Sequence, residues 1–329
     1  MIPISILDQL TISEGSSPKE TLENSIKVAQ LVEEMGYKRY WISEHHGNRF
    51  TAHSSPEILM ATIAAHTKEI KIGSGGILLQ HYSPYKIAES IKLLSTLYPH
   101  RIDGGIGRAD GGSKKAVQAL KNGGDSYDYK NKIKDLITFL ENDYITIDNE
   151  KLYTSPIETN TSEIWLLGSS ENSAQIAAEQ STNFAFAHFI SPEDNGKSTN
   201  IYIEKYKGKN NTKPYIALCV GVVCAETIEK SEELARDLDY FTIKIERDKN
   251  PPNFPNPNLK EKIIYSDDEN KIIEDFRKGL IVGTPEMIRK ELERLVELYN
   301  ADEIILLTTT YSIEDKINSY KLIINEMKK

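Results

Sequence analysis

Eight short apolar segments recur along the chain, and helical patterns separate each from the next. Their residues are apolar at consecutive positions rather than at alternate ones, which is typical of strands covered on both faces in a parallel sheet. A doubly wound sheet usually stops at about five or six strands, so eight strand–helix units favour an α/β fold of the TIM, or (β/α)8, barrel type. The eight segments are PISIL, RYWI, IKIGSGGILL, RIDGGIG, EIWLLG, NFAFA, YIALCVGVV and EIILLT.

Five prolines indicate where helices begin, because each follows a serine or threonine and precedes a helical pattern. The hydroxyl can accept a hydrogen bond from a free N–H of the first turn, and proline at the first helical position loses no bond there. We therefore predict a helix start at each pair. The pairs are Ser17-Pro18, Ser55-Pro56, Ser83-Pro84, Ser191-Pro192 and Thr284-Pro285.

We expect one domain over residues 1–329, because the strand–helix alternation spans the chain. The alternation breaks at residues 249–276, after the seventh strand and its helix, where four prolines lie between Pro251 and Pro257. Long polar connections are uncommon in compact barrels and often belong to functional loops. This segment is predicted to be a mobile insertion or a lid over the site.

Charge and hydropathy exclude several classes of partner. The net charge is −9, and no long cluster of lysine and arginine is present, which argues against nucleic acid and anionic membranes as partners. No segment approaches the ~18 consecutive apolar residues of a membrane span, and the N-terminus lacks the basic start of a signal peptide. We therefore predict a cytoplasmic protein with no membrane segment.

An acid and two imidazoles follow the second predicted strand, where the sequence is RYWISEHHGN. Chemistry in such barrels lies at the carboxyl ends of the strands, so Glu44, His45 and His46 are candidates for an acid–base site. A metal site would need further ligands from other strand ends, and neither H-x-H nor H-E-x-x-H occurs. A metal-dependent barrel hydrolase is therefore the weaker alternative, and no metal ligands are assigned.

Two glycine-rich segments and a serine cluster indicate where a cofactor could approach the backbone. GSGGIL lacks the third glycine of a dinucleotide fingerprint, and GIGRADGGS lacks the lysine of a Walker loop. Arg108 follows the fourth strand, where its guanidinium could meet a phosphate or could form a surface salt bridge. Ser169, Ser170 and Ser173 surround a predicted helix N-terminus after the fifth strand, which is a favourable place for an anion.

Six stretches together resemble the bacterial luciferase-like, flavin-dependent oxidoreductases, in the order of that family and over nearly the whole chain. They are RYWISEHHGN, SSPEILMATIAAHTKEIKIGSGG, LYPHRIDGGIGRADGG, WLLGSSENSAQIAAEQ, FAFAHF and IVGTPE. The resemblance implies a TIM barrel that binds reduced FMN at its carboxyl face. His45 matches the first histidine of the family's E-H-H, which is implicated in acid–base work beside the flavin. Gly75-Gly76 matches a non-prolyl cis peptide against the flavin ring.

The resemblance also implies a phosphate site and limits the substrate. Arg108, Ser170 and Ser173 match the family's phosphate contacts. Luciferases proper carry an aromatic residue after E-H-H, whereas this chain has Gly47. Oxidation of long-chain aldehydes with light emission is therefore not implied, and some relatives use the deazaflavin F420.

The predicted function is a flavin (FMN)-dependent oxidoreductase, a monooxygenase that uses O₂ on a small organic substrate. His45 and Glu44 are its predicted catalytic residues, and either Glu44 or a backbone carbonyl is expected to fix the tautomer and orientation of the His45 ring. No nicotinamide fingerprint is found, so a separate flavin reductase is expected to supply reduced FMN. The second and third helices, which carry several alanines, are expected to form a homodimer interface, as in the resembled family. An F420-dependent enzyme and a flavin-binding subunit without turnover remain alternatives.

Overall fold

Eight parallel strands close into a barrel in the computed structural model, which describes residues 2–121, 128–157, 162–209, 212–248, 253–256 and 263–329. The barrel strands follow the order β1, β2, β3, β5, β8, β9, β10 and β12, and β12 pairs with β1 to close the ring. The strands are β1 Ile4–Asp8, β2 Arg39–Ile42, β3 Lys71–Ser74, β4 Ile77–Leu78, β5 Ile102–Gly107, β6 Tyr144–Ile147, β7 Glu150–Tyr153, β8 Glu163–Gly168, β9 Asn183–Ala187, β10 Ile216–Cys224, β11 Leu280–Gly283 and β12 Glu303–Leu307. The predicted TIM barrel is thus confirmed, with all eight apolar segments contributing its strands.

The helices lie between the strands around the barrel. They are α1 Pro18–Met35, α2 Pro56–His66, α3 Pro84–Leu97, α4 Lys114–Lys121, α5 Tyr129–Glu141, α6 Glu171–Gln180, α7 Lys197–Lys205, α8 Ile228–Arg247, α9 Asp267–Arg277, α10 Pro285–Tyr299 and α11 Ile313–Met327. Four of the five predicted starts are correct, since α1, α2, α3 and α10 each begin at the proline.

The prediction at Ser191-Pro192 is wrong as to length. Only a 3₁₀ turn forms there, over Pro192–Asp194, and α7 begins at Lys197. Asn195 and Gly196 both take a positive φ, of 53° and 80°. Because a right-handed helix cannot continue through left-handed residues, the chain must restart its helix after them.

The third apolar segment is two strands rather than one. The Gly75–Gly76 peptide bond is cis, as the resemblance implies, and it separates β3 from β4. Ser74 Oγ donates to the carbonyl oxygen of Gly105 at 2.7 Å and accepts from its N–H at 3.0 Å. The serine side chain therefore satisfies the β5 backbone where the regular ladder is interrupted. A β-carbon at Gly76 would lie 2.7 Å from the same carbonyl oxygen, so only glycine allows this close approach.

A ninth strand joins the sheet at β10. β9 pairs with the first part of β10, through Ala187↔Cys219, and β11 pairs with its last part, through Gly221↔Leu280 to Cys224↔Gly283. β10 is longer than its neighbour, and β11 occupies the edge that β9 leaves open. An antiparallel hairpin of β6 and β7 also lies between α5 and β8. Neither feature was predicted.

A buried charge cluster around Arg39 closes the barrel at the end where the strands begin. Its guanidinium contacts Asp103 Oδ2 at 2.8 Å, Glu303 Oε1 at 2.9 Å and Glu163 Oε2 at 3.0 Å, and it lies over the Trp165 ring. Burial alone would lower the pKa of Arg39, but the carboxylates, Asp103 foremost, outweigh it and raise that pKa. Above this cluster a small apolar layer fills the barrel interior. That layer consists of Leu7, Trp41, Trp165, Ala185, Ala217, Cys219 and Ile305.

The segment predicted as an insertion or lid lies partly outside the described residues, at 249–252 and 257–262. Its described part contains Phe254, which is fully buried and exchanges backbone hydrogen bonds with Ile12 and Glu14. Its last residues belong to α9. Whether it moves stays a prediction. Of the helices in the described ranges, none combines the length and apolar content that a membrane span requires.

Candidate active site

A cavity of about 480 Å³ opens at the carboxyl ends of the strands. Of the residues that the sequence indicated as catalytic or cofactor-binding, all but His46 line it, although they come from four different strand ends. Parallel strands in a closed barrel bring their carboxyl ends to one face, which explains why residues far apart in sequence meet here. These residues are Glu44, His45, Gly75, Gly76, Arg108, Ser169, Ser170 and Ser173.

His45 presents a neutral imidazole to this cavity. Burial, with a smaller effect of His46, lowers the pKa of His45 below its ordinary value of 6.5. Its Nδ1 lies 3.1 Å from the Ser43 hydroxyl, and its Nε2 makes no hydrogen bond to a described residue. The sequence left open whether Glu44 or a backbone carbonyl orients this ring, and the structure shows that Ser43 does so. A neutral ring with one anchored nitrogen can accept or donate a proton at the other.

Glu44 holds the neighbouring backbone and side chains in place. Its buried carboxylate accepts from the Leu78 N–H at 3.1 Å, from the Tyr82 hydroxyl at 2.7 Å, and contacts His46 Nε2 at 2.7 Å. Three partners satisfy a carboxylate that burial would otherwise penalise. Because Leu78 follows the Gly75–Gly76 peptide, Glu44 fixes β4, and through it the glycine wall of the cavity. The structure therefore gives Glu44 a positioning contact rather than a contact with His45.

Arg108 and the start of α6 form a positively polarised corner of the cavity. The Arg108 guanidinium is exposed, lies over the Tyr129 ring at 5.5 Å and forms no ion pair with any described residue. Ser170 caps α6 by accepting from the Ser173 N–H, and Ser173 Oγ donates back to the Ser170 carbonyl at 2.6 Å. The remaining first-turn N–H groups and the Ser169 hydroxyl make no hydrogen bond to a described residue and stay available to an anion.

Two glycines explain local features of the site. Gly168 lies where a β-carbon would overlap the Ser173 side chain, so glycine lets the first turn of α6 approach the end of β8. Gly47 has a φ of 66°, and a β-carbon there would lie 2.7 Å from that of Ala116 on α4. An aromatic residue at this position would therefore displace α4, which gives a physical reason for the departure seen in the sequence.

Sequence reasoning missed several residues that shape the site. Ser43 and Tyr82 were not singled out, although both contact the E-H-H group. Gln9 lines the cavity and could have been found from strand periodicity, because it shares the face of Leu7 on β1. Within the described ranges, no group of three or more His, Cys, Asp and Glu side chains is arranged to hold a metal ion.

His53, beside the site, is expected to make stability depend on pH. Burial, with smaller effects of His45 and His46 and against the opposing charge of Asp8, lowers the pKa of His53 to about 4. Between about pH 6.5 and about pH 4 the unfolded chain therefore binds more protons, so stability falls as the pH falls, by up to about 3 kcal/mol. The His53→Gln variant should lose this part of the dependence in urea unfolding at about pH 7.5 and about pH 4.5.

A matched control is His66→Gln on the exposed end of α2, which should keep the pH dependence of the parent protein. An unchanged pH dependence in His53→Gln would show that another group is responsible.

The fold and the cavity together define a TIM-barrel protein whose site lies at the carboxyl ends of the strands. The chain belongs to the luciferase-like monooxygenase family, whose sequence model matches residues 2–301. The Bacillus subtilis protein YwcH is 40% identical over 98% of each chain. The N-acetyl-S-alkylcysteine monooxygenase of the same organism is 34% identical over 98% of this chain and 97% of its own.

Solved structures share the fold. The crystal structure of apo-MsnO8 matches with a TM-score of 0.87 at 30% identity, over 99% of this chain and 98% of the other. The oxygenating constituent of 3,6-diketocamphane monooxygenase from Pseudomonas putida, in complex with FMN, has a TM-score of 0.72 at 18% identity, over 99% and 97%. An F420-dependent secondary alcohol dehydrogenase has a TM-score of 0.69 at 15% identity, over 99% and 98%. At such identities the last two indicate the fold alone.

Proposed function

We propose that this protein is an FMN-dependent monooxygenase that acts on a small organic substrate. One observation carries the proposal: Arg108, which pairs with no described acid, lies beside the N-terminus of α6 and lines the same cavity as a neutral His45. Arg108 and the N-terminus of α6 suit a phosphate, and His45 suits proton transfer next to a redox cofactor. Membership of the luciferase-like monooxygenase family supports the same activity.

The residues around the cavity fit a flavin mononucleotide. Arg108, Ser169, Ser170 and Ser173 would hold its phosphate, because guanidinium, hydroxyl and first-turn N–H groups are all donors to phosphate oxygens. The Gly75–Gly76 segment has no side chains and would leave room for the flat ring against the backbone. Leu78 and Ile176 add apolar surface to the same wall.

His45 would serve as the proton-handling residue. When bound, reduced FMN supplies the two electrons with which one atom of O₂ enters the substrate and the other leaves as water. His45 would hold or release the required proton at Nε2, while Ser43 keeps the ring in place through Nδ1. Glu44 acts indirectly, through Leu78 and Tyr82. The apolar floor of Leu7, Trp41 and Ile305 excludes water from below.

A separate reductase would supply the reduced flavin. The name of one structural relative, an oxygenating constituent, fits a division between an oxygenase and a reductase. The F420-dependent relative gives a second candidate, an F420-dependent oxidoreductase with the same cavity. A flavin-binding subunit without turnover is the outcome if FMN binds but no compound stimulates oxygen consumption.

The Arg108→Gln variant tests the phosphate site. Loss of a charge-assisted contact should weaken FMN binding by about 10- to 100-fold. Riboflavin has the same ring and no phosphate, so its affinity should stay within about two-fold of that of the parent. Both ligands can be followed by quenching of flavin fluorescence, with Arg236→Gln, an exposed change on α8, as the control. Equal weakening for both ligands would contradict the phosphate role, and absence of FMN binding in the parent would contradict the proposed function.

A homodimer through α2 and α3 is also proposed. The alanines of these helices suggested this interface, but two of them, Ala64 and Ala88, are buried inside the protomer, so they do not reach a partner subunit. The outer surface of these helices instead exposes Ile58, Leu93 and Leu97, at 66%, 52% and 57%. Aliphatic side chains on neighbouring helices are typical of an interface.

Replacement of both Leu93 and Leu97 by glutamate should convert a dimer to a monomer, because a carboxylate buried in this interface without a counter-ion is costly. Light scattering after size exclusion measures the mass directly. The matched change Ile203→Glu on α7 should leave the mass unchanged. A parent protein that is already monomeric would contradict the proposed interface.

A further inference from the structure

The cavity has a second half that the proposed flavin contacts do not use. It is formed by the ends of β1, β9, β10 and β12, across the barrel from Arg108 and the start of α6. None of its residues carries a charge. They are Leu7, Gln9, Ala185, Ala187, Phe189, Ile190, Cys219 and Ile305.

Small side chains create the space in this half. Barrel interiors are usually filled by layers of bulky branched residues. Here β9 contributes Ala185 and Ala187, and β10 contributes Cys219, so the wall stands back from the barrel axis. Phe189 lies just beyond β9, and Ile190 at the mouth is 61% exposed. A molecule that enters past Ile190 therefore meets apolar surface from the mouth to the floor.

Apart from the Cys219 thiol, the ionisable groups that line the cavity belong to the other half. Arg108 follows β5, while Glu44 and His45 follow β2. The Glu44 carboxylate already has its three partners. Burial raises the pKa of the Cys219 thiol, which therefore stays uncharged. A substrate carboxylate placed in this half would lose its hydration without gaining a cation from a described residue, and such burial is costly.

One hydrogen-bonding group does face this half. Side chains alternate along β1, so Leu7 and Gln9 point into the barrel while Asp8 points outward to Ser25 and Lys316. The Gln9 amide lines the cavity and makes no hydrogen bond to any described residue. It can therefore donate to, or accept from, one polar group of a bound molecule.

We propose that the substrate is an uncharged, mainly apolar small molecule that carries one hydrogen-bonding group and places that group at Gln9. The inference rests on the proposed function for the chemistry, but the recognition surface can be tested without turnover.

The experiment compares, by calorimetry with and without FMN, three probes that share one methylthiophenyl ring. They are 4-(methylthio)benzamide, which is neutral and has an amide, 4-(methylthio)benzoate, which is its anion counterpart, and methyl phenyl sulfide, which is neutral and has no amide. The benzamide should bind at least about ten-fold more tightly than the benzoate, since burial of an unpaired charge is penalised. Gln9→Leu should weaken the benzamide by about five- to ten-fold and leave methyl phenyl sulfide unchanged.

A gain-of-function variant keeps the test independent of folding defects. Ile190→Arg places a cation at the exposed mouth and should bring the affinity for the benzoate to within about three-fold of that for the benzamide. Ile147→Arg, on the β6–β7 hairpin away from the cavity, should not change the preference. Equal or tighter binding of the benzoate by the parent would overturn the proposal, as would failure of both neutral probes to bind or equal weakening of all probes by Gln9→Leu.

The experiment can contradict the proposed function and the proposed substrate class separately. If FMN does not bind, the proposed function fails, while the preference for a neutral probe is still measured on the flavin-free protein. If FMN binds normally and the benzoate is preferred, only the substrate class is wrong.

Discussion

Replacing His45 with glutamine is expected to lower the rate of substrate-dependent oxygen consumption by about 10²- to 10⁴-fold, the usual contribution of a general acid–base group. His45 carries the only imidazole among the described residues that line the cavity, and glutamine keeps a polar side chain without a titratable nitrogen. Affinity for FMN should change little, because His45 lies apart from the phosphate contacts at Arg108. Stopped-flow oxygen consumption and flavin fluorescence measure the two quantities separately.

The pH profile gives a second readout for His45. Its folded pKa is lowered by burial, so the neutral ring persists below pH 6.5 and the acid limb of the rate should lie below that value. The limb should be absent from the residual rate of His45→Gln. His66→Gln is the control and should keep both rate and profile. A variant at His45 that retains the parent rate would remove this residue from the mechanism.

Replacing Arg39 with methionine is expected to destabilise the protein by about 3–5 kcal/mol at neutral pH, because two buried carboxylates lose the guanidinium that lies between them and, of the described cations, keep only the lysines at the rim, Lys38 and Lys71. Asp103 and Glu303 are both fully buried, and both contact the Arg39 guanidinium. Methionine fills much of the same space, so the loss should reflect charge rather than a cavity. Urea unfolding followed by circular dichroism measures the change, with Arg294→Met, an exposed i,i+3 pair on α10, as the control.

The penalty at Arg39 should shrink at lower pH. Burial already raises the pKa of Asp103 in the parent, despite the opposing charge of Arg39, and removal of Arg39 raises it further. A carboxyl with a raised folded pKa favours folding below its unfolded value and loses that contribution as the pH rises through the folded value. The difference between variant and parent should therefore be smaller near about pH 4.5 than near about pH 7.5. The double variant Arg39→Met/Asp103→Asn should recover part of the loss, and an equal loss at both pH values would contradict the charge-based account.

The strand and helix order of this protein could be predicted closely because its signals are local. Apolar residues at consecutive positions located all eight barrel strands, and four of the five Ser-Pro or Thr-Pro pairs begin helices. The fifth failed because Asn195 and Gly196 turn left-handed, as an Asn-Gly pair often does, and this signal outweighs the Ser-Pro helix start. β11 was missed because it pairs with the part of β10 that extends beyond the end of β9. Only the closed sheet reveals this difference in strand length.

The sequence predicted which residues line the candidate site but not which of their atoms contact one another. Eight of the nine residues singled out line one cavity, because a parallel barrel brings strand ends to one face, while His46 lies outside that lining. The partners within that cavity were not predictable. Ser43, rather than Glu44 or a backbone carbonyl, contacts His45, while Glu44 contacts Leu78 and Tyr82. Such choices depend on side-chain directions across different strands.

The sequence by itself determined that eight strand–helix units close into a barrel and that an acid, imidazoles, an arginine and serines follow particular strands. Periodicity and helix capping act within a few residues, so they can be found without the fold. Only the tertiary structure decided that Arg108 pairs with no acid in the described part of the chain, that Ala185, Ala187 and Cys219 open the second half of the cavity, and that Gln9 faces it. These are properties of packing between distant segments, where volume, burial and charge are settled together.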